Sequence, residues 1–172
     1  MFKGIKWQIV LVTFVVVFGF LFASFQLYQN KILPDKISKD VSTVKFVKMV
    51  TISTDNNGYI MKVRLGEVEN LMETYKEIEN KVNKYPVKIN ILLIDNPNEK
   101  LNNVYYNSQF SIYEGIQKGD YMKMYDTIRE VSSKNGVKAF VYIDKQNIYL
   151  NLRDGSHYLY KIIPREAYKG ES

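Results

Sequence analysis

The stretch WQIVLVTFVVVFGFLFASFQLYQN, from Trp7 to Asn30, contains no charged residue and decides how the rest of the chain is arranged. A helix crosses the hydrocarbon core of a bilayer with roughly 20 apolar residues at about 1.5 Å each, and this stretch is long enough to do so. Trp7 and Tyr28 lie at its two ends, where amphipathic aromatic rings favour the headgroup layer. The sequence therefore predicts a signal anchor, a single uncleaved transmembrane helix over residues 7–29 that contacts the lipid bilayer.

A cleaved secretory signal is the alternative interpretation of this stretch. Its apolar region would normally span about 7–15 residues and end in a small-x-small site. Ala23–Phe25 does not form such a site because Phe25 is bulky, and Val17–Gly19 has acceptable residue sizes but lies inside the apolar run. The chain has no cysteine, which excludes the lipid attachment of a lipoprotein.

The charges that flank the apolar stretch predict its orientation. Lys3 and Lys6 precede it without any acid, whereas the charges that follow it are mixed in sign. Because positive residues favour the cytoplasmic side, we expect the leader, residues 1–6, in the cytoplasm and a domain over residues 44–164 outside it. Residues 30–43 are mostly polar and include one proline, which predicts a short linker that keeps the domain close to the bilayer.

Composition limits the function classes that this domain can belong to. After the membrane segment, the 172-residue chain has room for one domain or two small ones. Without cysteine, the domain must be held by its core alone, and thiolate metal sites are excluded. The net charge of +6 is modest and would weakly favour anionic lipids or polyanionic wall polymers. Basic residues are not clustered as in nucleic-acid binders, so we expect no nucleic-acid partner.

The first half of the domain, residues 44–95, predicts the order β-β-α-β. Alternating apolar and β-branched residues indicate a hairpin from Val44 to Leu65. Its connection, Thr54–Gly58, has turn chemistry, and it lacks the spacing and the closing glutamate of a calcium loop. Apolar residues at spacings of three and four predict a helix from Val68 to Lys84. The strand from Val87 to Ile94 ends in a solid apolar run, which predicts a central position in its sheet.

The second half, residues 99–164, predicts the order α-α-β-β-β. The helix from Glu99 to Lys118 carries two apolar stripes, so we expect it to be sandwiched between other elements. A second helix follows and ends at Asn135-Gly136, and Val137–Ile163 reads as a meander of three strands. Because two helices separate the two groups of strands, an α+β fold is favoured over a doubly wound sheet. The polar tail, residues 165–172, is predicted to be flexible.

The predicted meander sorts its side chains into an aliphatic face and an aromatic face. A two-residue turn at Asp154-Gly155 would pair Tyr149 with Tyr160, and a four-residue first turn would pair Tyr142 with Tyr149. The aromatic face supplies the candidate binding residues, which are Phe140, Tyr142, Tyr149, Tyr158 and Tyr160. If the two-striped helix covers this face, the five residues belong to the core. If nothing covers it, the face is a platform for a protein partner or a sugar ring.

The sequence predicts no catalytic residue, no metal and no cofactor. His157 is the only histidine, which excludes a multi-histidine metal site. It lies close in sequence to Asp154 and Ser156, but strand alternation points Ser156 and His157 to opposite faces, so we interpret His157 as a strand-edge residue. There is no Gly-x-Ser-x-Gly motif and no glycine loop that would cradle a phosphate. Acidic residues fall mostly at turns and helix caps, where backbone hydrogen bonding explains them.

The predicted anchor places the domain at the cell envelope, and no motif indicates a catalytic, metal-binding or nucleic-acid-binding function. Together these two points predict a non-catalytic interaction or assembly domain of the cell envelope, with a protein partner or self-association. Two alternatives stay open. A membrane-tethered enzyme that acts on envelope polymers would need a cleft with converging carboxylates. An extracytoplasmic ligand-binding sensor would need a signalling element on the other side of the membrane, and residues 1–6 offer none.

Overall fold

The structure is a computed structural model that describes residues 6–55 and 58–166. Its helices are α1 (Trp7–Leu27), α2 (Leu33–Val41), α3 (Leu71–Val82), α4 (Glu99–Lys118) and α5 (Tyr121–Lys134), and a π-helical turn, Tyr28–Ile32, joins α1 to α2. Its strands are β1 (Val47–Asp55), β2 (Gly58–Leu65), β3 (Ile89–Ile94), β4 (Lys138–Ile143), β5 (Asn147–Asp154) and β6 (His157–Pro164). The α+β fold is confirmed, and the elements after α2 follow the predicted order β-β-α-β-α-α-β-β-β.

The first helix is apolar along its whole length. It has 21 residues, and none of its side chains is buried against the rest of the molecule. It continues through the π-helical turn into α2, so Trp7–Val41 is one helical segment of 35 residues. By length and composition this segment can cross a membrane, which agrees with the span predicted over residues 7–29.

The prediction of a linker over residues 30–43 is wrong for most of its length, because Leu33–Val41 is helical and packs into the core. Leu33, Ile37 and Val41 recur every four residues and therefore share one face, which is buried. The proline that suggested an irregular stalk is Pro34, which falls in the first turn of α2, where a missing N–H is tolerated.

The first sheet, sheet A, has the strand order β1-β2-β3. β2 pairs antiparallel with β1 and parallel with β3, and the helix between β2 and β3 is α3. The predicted hairpin is confirmed, whereas the predicted central position of the strand from Val87 to Ile94 is wrong, because β3 lies at an edge. Its apolar run is explained by Ile89, Ile91 and Leu93 on the core face, while Leu92 on the other face is exposed.

The second sheet, sheet B, is the predicted meander with the strand order β4-β5-β6. Tyr142 pairs with Tyr149 as predicted. The second turn is Gly155-Ser156 and not Asp154-Gly155, so Tyr149 pairs with Ile162 and not with Tyr160. Because this difference shifts the pairing by two residues, every side chain stays on its predicted face. The aliphatic face packs against α4 and α5 in one core cluster.

The strands of sheet A run alongside α2. The first residues of β2 lie beside the end of α1, since the Tyr59 hydroxyl is 2.8 Å from the Gln29 carbonyl oxygen. Its last residue, Leu65, pairs with Val47, whose N–H donates to the carbonyl of Val44, just after α2. We call the end of the domain beside Gln29 the near end and the end beside Val44 the far end.

Sheet B and its helices follow the same axis in the opposite direction. β3 ends at the far end, and the next residues form a bridge, Asn96 with Tyr158, at the start of β6. β6 therefore returns toward the near end. α4 begins at the far end, where Asn98 donates to the Asp154 carboxylate at 2.7 Å, and it extends for 20 residues, or about 30 Å, toward the near end.

Candidate functional site

The predicted aromatic face of sheet B is covered by α3 and belongs to the core. Tyr149 is fully buried and Tyr160 is 4% exposed. The ring of Tyr75, on α3, lies 5.9 Å from that of Tyr149, centroid to centroid. Tyr142 and Tyr158 are half-buried against the same cluster. The open platform considered above is therefore not present at Tyr149 and Tyr160, and the covering element is α3, not the two-striped helix.

The phenol groups of this face hold the connection between β2 and α3. Tyr160 Oη donates to the Gly66 carbonyl at 2.8 Å, and Tyr158 Oη donates to the Leu65 carbonyl at 3.2 Å. Tyr142 Oη donates to the Glu69 carbonyl at 3.4 Å. Burial raises the pKa of Tyr160 to about 12, so its hydroxyl stays protonated and able to donate. These bonds join the two halves of the domain and explain why the row of tyrosines is there.

The fifth predicted binding residue, Phe140, is half-buried under a guanidinium group. The Cζ atom of Arg153 lies 5.0 Å from the centroid of the Phe140 ring, a cation–π arrangement. Arg153 Nη1 also donates to Glu67 at 2.6 Å. Phe140 therefore helps to hold Arg153 against the segment before α3.

The most strongly hydrogen-bonded carboxylate, Asp144, has a structural role. One of its oxygens accepts from Lys76 at 2.8 Å and from the Tyr149 hydroxyl at 2.9 Å. The other accepts from the backbone N–H groups of Gln146 and Asn147 at 2.7 and 2.8 Å. Burial raises the pKa of Asp144, but these hydrogen bonds outweigh it and hold the pKa below its usual range. With its acceptor positions occupied, the carboxylate fastens sheet B to α3.

The residues around His157 also have structural partners. Its Nδ1 lies 3.2 Å from the Asn96 carbonyl oxygen, beside the bridge between the sheets. The Asp154 carboxylate accepts from Asn98 and from Lys100 at 2.8 Å, which fixes the start of α4. Across residues 6–55 and 58–166, no group of three or more metal-binding side chains lies together. The centre of the rejected calcium loop, residues 56–57, lies outside the described residues.

The second apolar stripe of α4 is exposed, so the prediction of a sandwiched helix is wrong. Tyr106, Phe110 and Tyr113 are 68%, 80% and 59% exposed. Their spacing of four and three residues places them on one face of the helix. The opposite face of α4 is buried on sheet B. The next helix, α5, packs beside α4 at Gly115, where an added Cβ would lie 2.8 Å from the Cβ of Met124, and leaves the stripe uncovered.

A second notable site is the junction between α1 and the domain. In a π-helical turn each carbonyl accepts from the N–H five residues later, and the Leu33 N–H does bond to the Tyr28 carbonyl. The next carbonyl, that of Gln29, would need the N–H of Pro34, which proline lacks. The Tyr59 hydroxyl occupies this position, 2.8 Å from the Gln29 carbonyl oxygen and 2.7 Å from its side-chain amide. A side chain of β2 thus completes the helix that leaves α1.

A further contact ties α2 to the domain. The Tyr85 hydroxyl donates to the Asp40 carboxylate. Burial, assisted by this carboxylate, raises the pKa of Tyr85 to about 12, so the bond persists at any physiological pH. Together with Leu33, Ile37 and Val41, these contacts make α2 part of the domain core.

Comparisons with family models, with curated proteins and with solved structures give no match.

Proposed function

We propose that this chain is a membrane-anchored, non-catalytic interaction domain of the cell envelope, held outside the cytoplasm by α1, which binds a protein partner through the exposed stripe of α4. The anchor is supported by the length and composition of α1, and the orientation by the basic residues that precede it. The observation that carries the interaction role is the stripe itself.

The stripe differs from the other aromatic clusters of this domain. Isolated exposed apolar side chains are normal on soluble proteins, whereas contiguous apolar patches mark interaction sites. Tyr106, Phe110 and Tyr113 are contiguous on one helix face, and each exposes more than half of its surface. Tyrosine and phenylalanine supply large contact areas with few rotatable bonds, which is why such residues are enriched in the energetic centres of interfaces.

The direction of α4 favours a protein over the bilayer surface as the occupant of the stripe. α4 runs along the axis that α1 and α2 define, so the stripe extends away from the membrane over about 10 Å, from Tyr113 to Tyr106. A flat lipid surface could meet only one end of such a stripe. A protein beside the domain can contact all three rings at once.

The test uses the absence of cysteine in the natural chain. Asn107→Cys, between Tyr106 and Phe110, is labelled on intact cells with a membrane-impermeant maleimide that carries a photocrosslinker. We expect labelling and, after illumination, one specific crosslinked protein. Replacing Tyr106, Phe110 and Tyr113 by serine should remove the crosslinked species and leave the labelling unchanged.

Three matched variants define the outcomes of this test. Asn103→Ser, on the same helix, should keep the crosslinked species. Ser156→Cys, at the far end, should be labelled without crosslinking to the same partner, and Gly4→Cys should be labelled only in permeabilised cells. Labelling of Gly4→Cys but not of Asn107→Cys on intact cells would reverse the proposed orientation. A crosslinked species that survives loss of the three rings would refute the stripe as the binding surface.

A further inference from the structure

The stripe of α4 is the middle of a longer exposed line on the side of the helix opposite its buried residues. Exposed side chains recur along this line at alternating spacings of three and four residues: Asn103, Tyr106, Phe110, Tyr113 and Gln117. This is the 3.5-residue period by which two helices meet along their length. We call this line the seam of α4. It adds an exposed amide side chain at each end of the stripe.

The seam lies in a part of the helix that carries no charge. Between Lys100 and Glu114 there is no charged residue, although 24% of the whole chain is charged. The charges that border this stretch have partners within the chain, since Lys100 pairs with Asp154 and Glu114 with Lys118. Depletion of charged residues, together with exposed aromatic residues, distinguishes the centre of a protein interface from the rest of a surface.

We infer that the seam of α4 binds the seam of a second copy of this chain, and that a two-fold axis parallel to the membrane normal relates the two copies. The contact rests on the function proposed above, that is, on the membrane anchor and on the stripe as a binding surface, and it identifies the protein partner as the chain itself. Because both copies use the same surface, the contact closes as a dimer and does not repeat.

The direction of α4 within the domain allows two copies of it to meet in parallel. α4 begins beside the start of β6, where Asn98 donates to the Asp154 carboxylate at 2.7 Å. It ends beside the end of β6, where Arg165 Nε donates at 3.1 Å to the hydroxyl of Tyr121, the first residue of α5. β6 in turn runs beside β3, since residues of both strands line one cleft. α4 therefore follows the strands of sheet A and the axis of the anchor, so a rotation about the membrane normal keeps two α4 helices parallel.

The anchor also fixes the relative height of the two copies. Both α1 helices occupy the same bilayer, so each residue of α4 and its copy lie at the same distance from the membrane. Each position of the seam therefore meets its own copy, as in a parallel coiled coil. A charge on the seam would meet an equal charge, whereas aromatic rings pack on each other and amides hydrogen-bond to each other. A different protein would place no such limit on the seam, and the absence of charge is therefore the reason for assigning a second copy.

The nearest charge on the line of the seam is Glu99, the first residue of α4. It lies about 16 Å along the helix from Phe110, at the centre of the seam. The side chain of Glu99 is exposed and can turn away from its copy. Helix axes that pack together are about 8–10 Å apart, which is about one Debye length at physiological salt, so water and ions largely screen the two carboxylates from each other.

The size of the surface explains why the dimer depends on the membrane. An aromatic residue has about 150–250 Å² of surface, of which Tyr106, Phe110 and Tyr113 expose 68%, 80% and 59%. The three rings therefore offer roughly 400 Å² on each copy, about half of the approximately 800 Å² of a standard stable interface. Free domains would associate weakly. Copies confined to one bilayer with a common orientation meet at a much higher effective concentration.

The test uses the full chain reconstituted in phosphatidylcholine vesicles, with single cysteines that are oxidised to disulfides. Asn103→Cys and Gln117→Cys, at the two ends of the seam, should each give a disulfide-linked dimer and nothing larger. These two positions lie about 21 Å apart along the helix, so a mixture of the two variants, one of them carrying a size tag, should give no mixed dimer. Ser156→Cys is the control, because this residue is exposed but lies outside the seam, and it should stay monomeric.

Charges introduced at the centre of the seam test whether each position meets its own copy. In the Asn103→Cys chain, Phe110→Lys should reduce the crosslinked dimer at least tenfold, and Phe110→Glu should do the same, because each charge meets an equal charge. An equal mixture of the two charged chains should restore the dimer, which then contains one chain of each kind. The side chain of Phe110 is 80% exposed, so the unfolding midpoints of both variants should be unchanged.

Each other result overturns the inference. Absence of the dimer at either end of the seam, species larger than a dimer, a mixed dimer of the two cysteine variants, or charged chains that stay monomeric when mixed would exclude this contact. If the stripe instead binds a different protein, the pure chain gives no dimer in vesicles, while the crosslinked species on cells still depends on the three rings. A crosslinked species on cells that survives loss of the rings would refute the proposed function itself. Extraction of the chain from vesicles by alkaline carbonate would overturn the anchoring, and the dimer with it.

Discussion

Replacing Ile37 by alanine should strongly destabilise the domain, although the sequence alone places this residue in a linker. The side chain is 0% exposed and packs, with Leu33 and Val41, into the cluster that contains the core face of sheet A. The substitution removes three carbon groups, worth about 0.8 kcal/mol each in transfer free energy, and leaves part of a cavity. We expect the free energy of unfolding to fall by about 3 kcal/mol.

The assay is urea unfolding of the full chain in detergent micelles, read by pulse proteolysis of the domain. With an m-value of about 2 kcal/mol per molar urea, the midpoint should fall by about 1.5 M. Ile32→Ala is the matched control, because the same substitution five residues earlier affects a side chain that is 49% exposed. Its midpoint should change by the equivalent of at most about 0.5 kcal/mol. Equal midpoints for the two variants would show that α2 does not contribute to the core.

Two hydrogen-bonded groups give further predictions in the same assay. Tyr59→Phe leaves the Gln29 carbonyl without its donor and should lower the free energy of unfolding by about 1–2 kcal/mol, whereas no loss would mean that water replaces the hydroxyl. Asp144→Asn should cost about 2 kcal/mol at neutral pH, because charge-assisted hydrogen bonds are lost. The folded-state pKa of Asp144 lies below the unfolded value, so its contribution is present above about pH 4–5 and is lost as the pH falls further. The natural chain and Asp144→Asn should therefore converge toward pH 2, and a constant difference would contradict a role for the charge.

The order of elements after residue 44 was predictable because local signals agree with the final packing. Tyr59, Met61, Val63 and Leu65 occupy alternate positions, and all four are buried on one face of β2. The two faces of sheet B also followed from alternation alone. The turn between β5 and β6 was misplaced by one residue, because both Asp154-Gly155 and Gly155-Ser156 offer a glycine that can take a positive φ.

The structure of residues 30–43 was not predictable from local composition. Its apolar residues Leu33, Ile37 and Val41 are separated by lysines, aspartates and Pro34, which is typical of exposed segments. Helix formation there depends on tertiary partners that are distant in sequence, above all the Tyr59 hydroxyl and the core face of sheet A. The signal that could have indicated the helix is the recurrence of Leu33, Ile37 and Val41 every four residues, which composition alone does not register.

The candidate interaction surface was visible in the sequence, but its exposure was not. Periodicity correctly identified both stripes of α4 and the aromatic face of sheet B. Periodicity cannot tell which apolar surfaces pack together. The sequence analysis therefore considered the second stripe of α4 as the cover of the aromatic face of sheet B. In the structure, α3 covers the aromatic face, and Tyr106, Phe110 and Tyr113 stay uncovered.

If α1 spans a bilayer as proposed, the continuous helix from Trp7 to Val41 couples the tilt of the domain to the thickness of that bilayer. α1, with 21 residues, is about 31 Å long, close to the roughly 30 Å of an average hydrocarbon core. In a thinner bilayer the helix tilts, so that its apolar surface stays within the hydrocarbon core. Since Leu33, Ile37 and Val41 belong to the domain core, the domain tilts by the same angle as α1. A tilt of about 20° displaces a point about 30 Å above the membrane surface sideways by roughly 10 Å. A change in membrane thickness would therefore shift this domain relative to its neighbours.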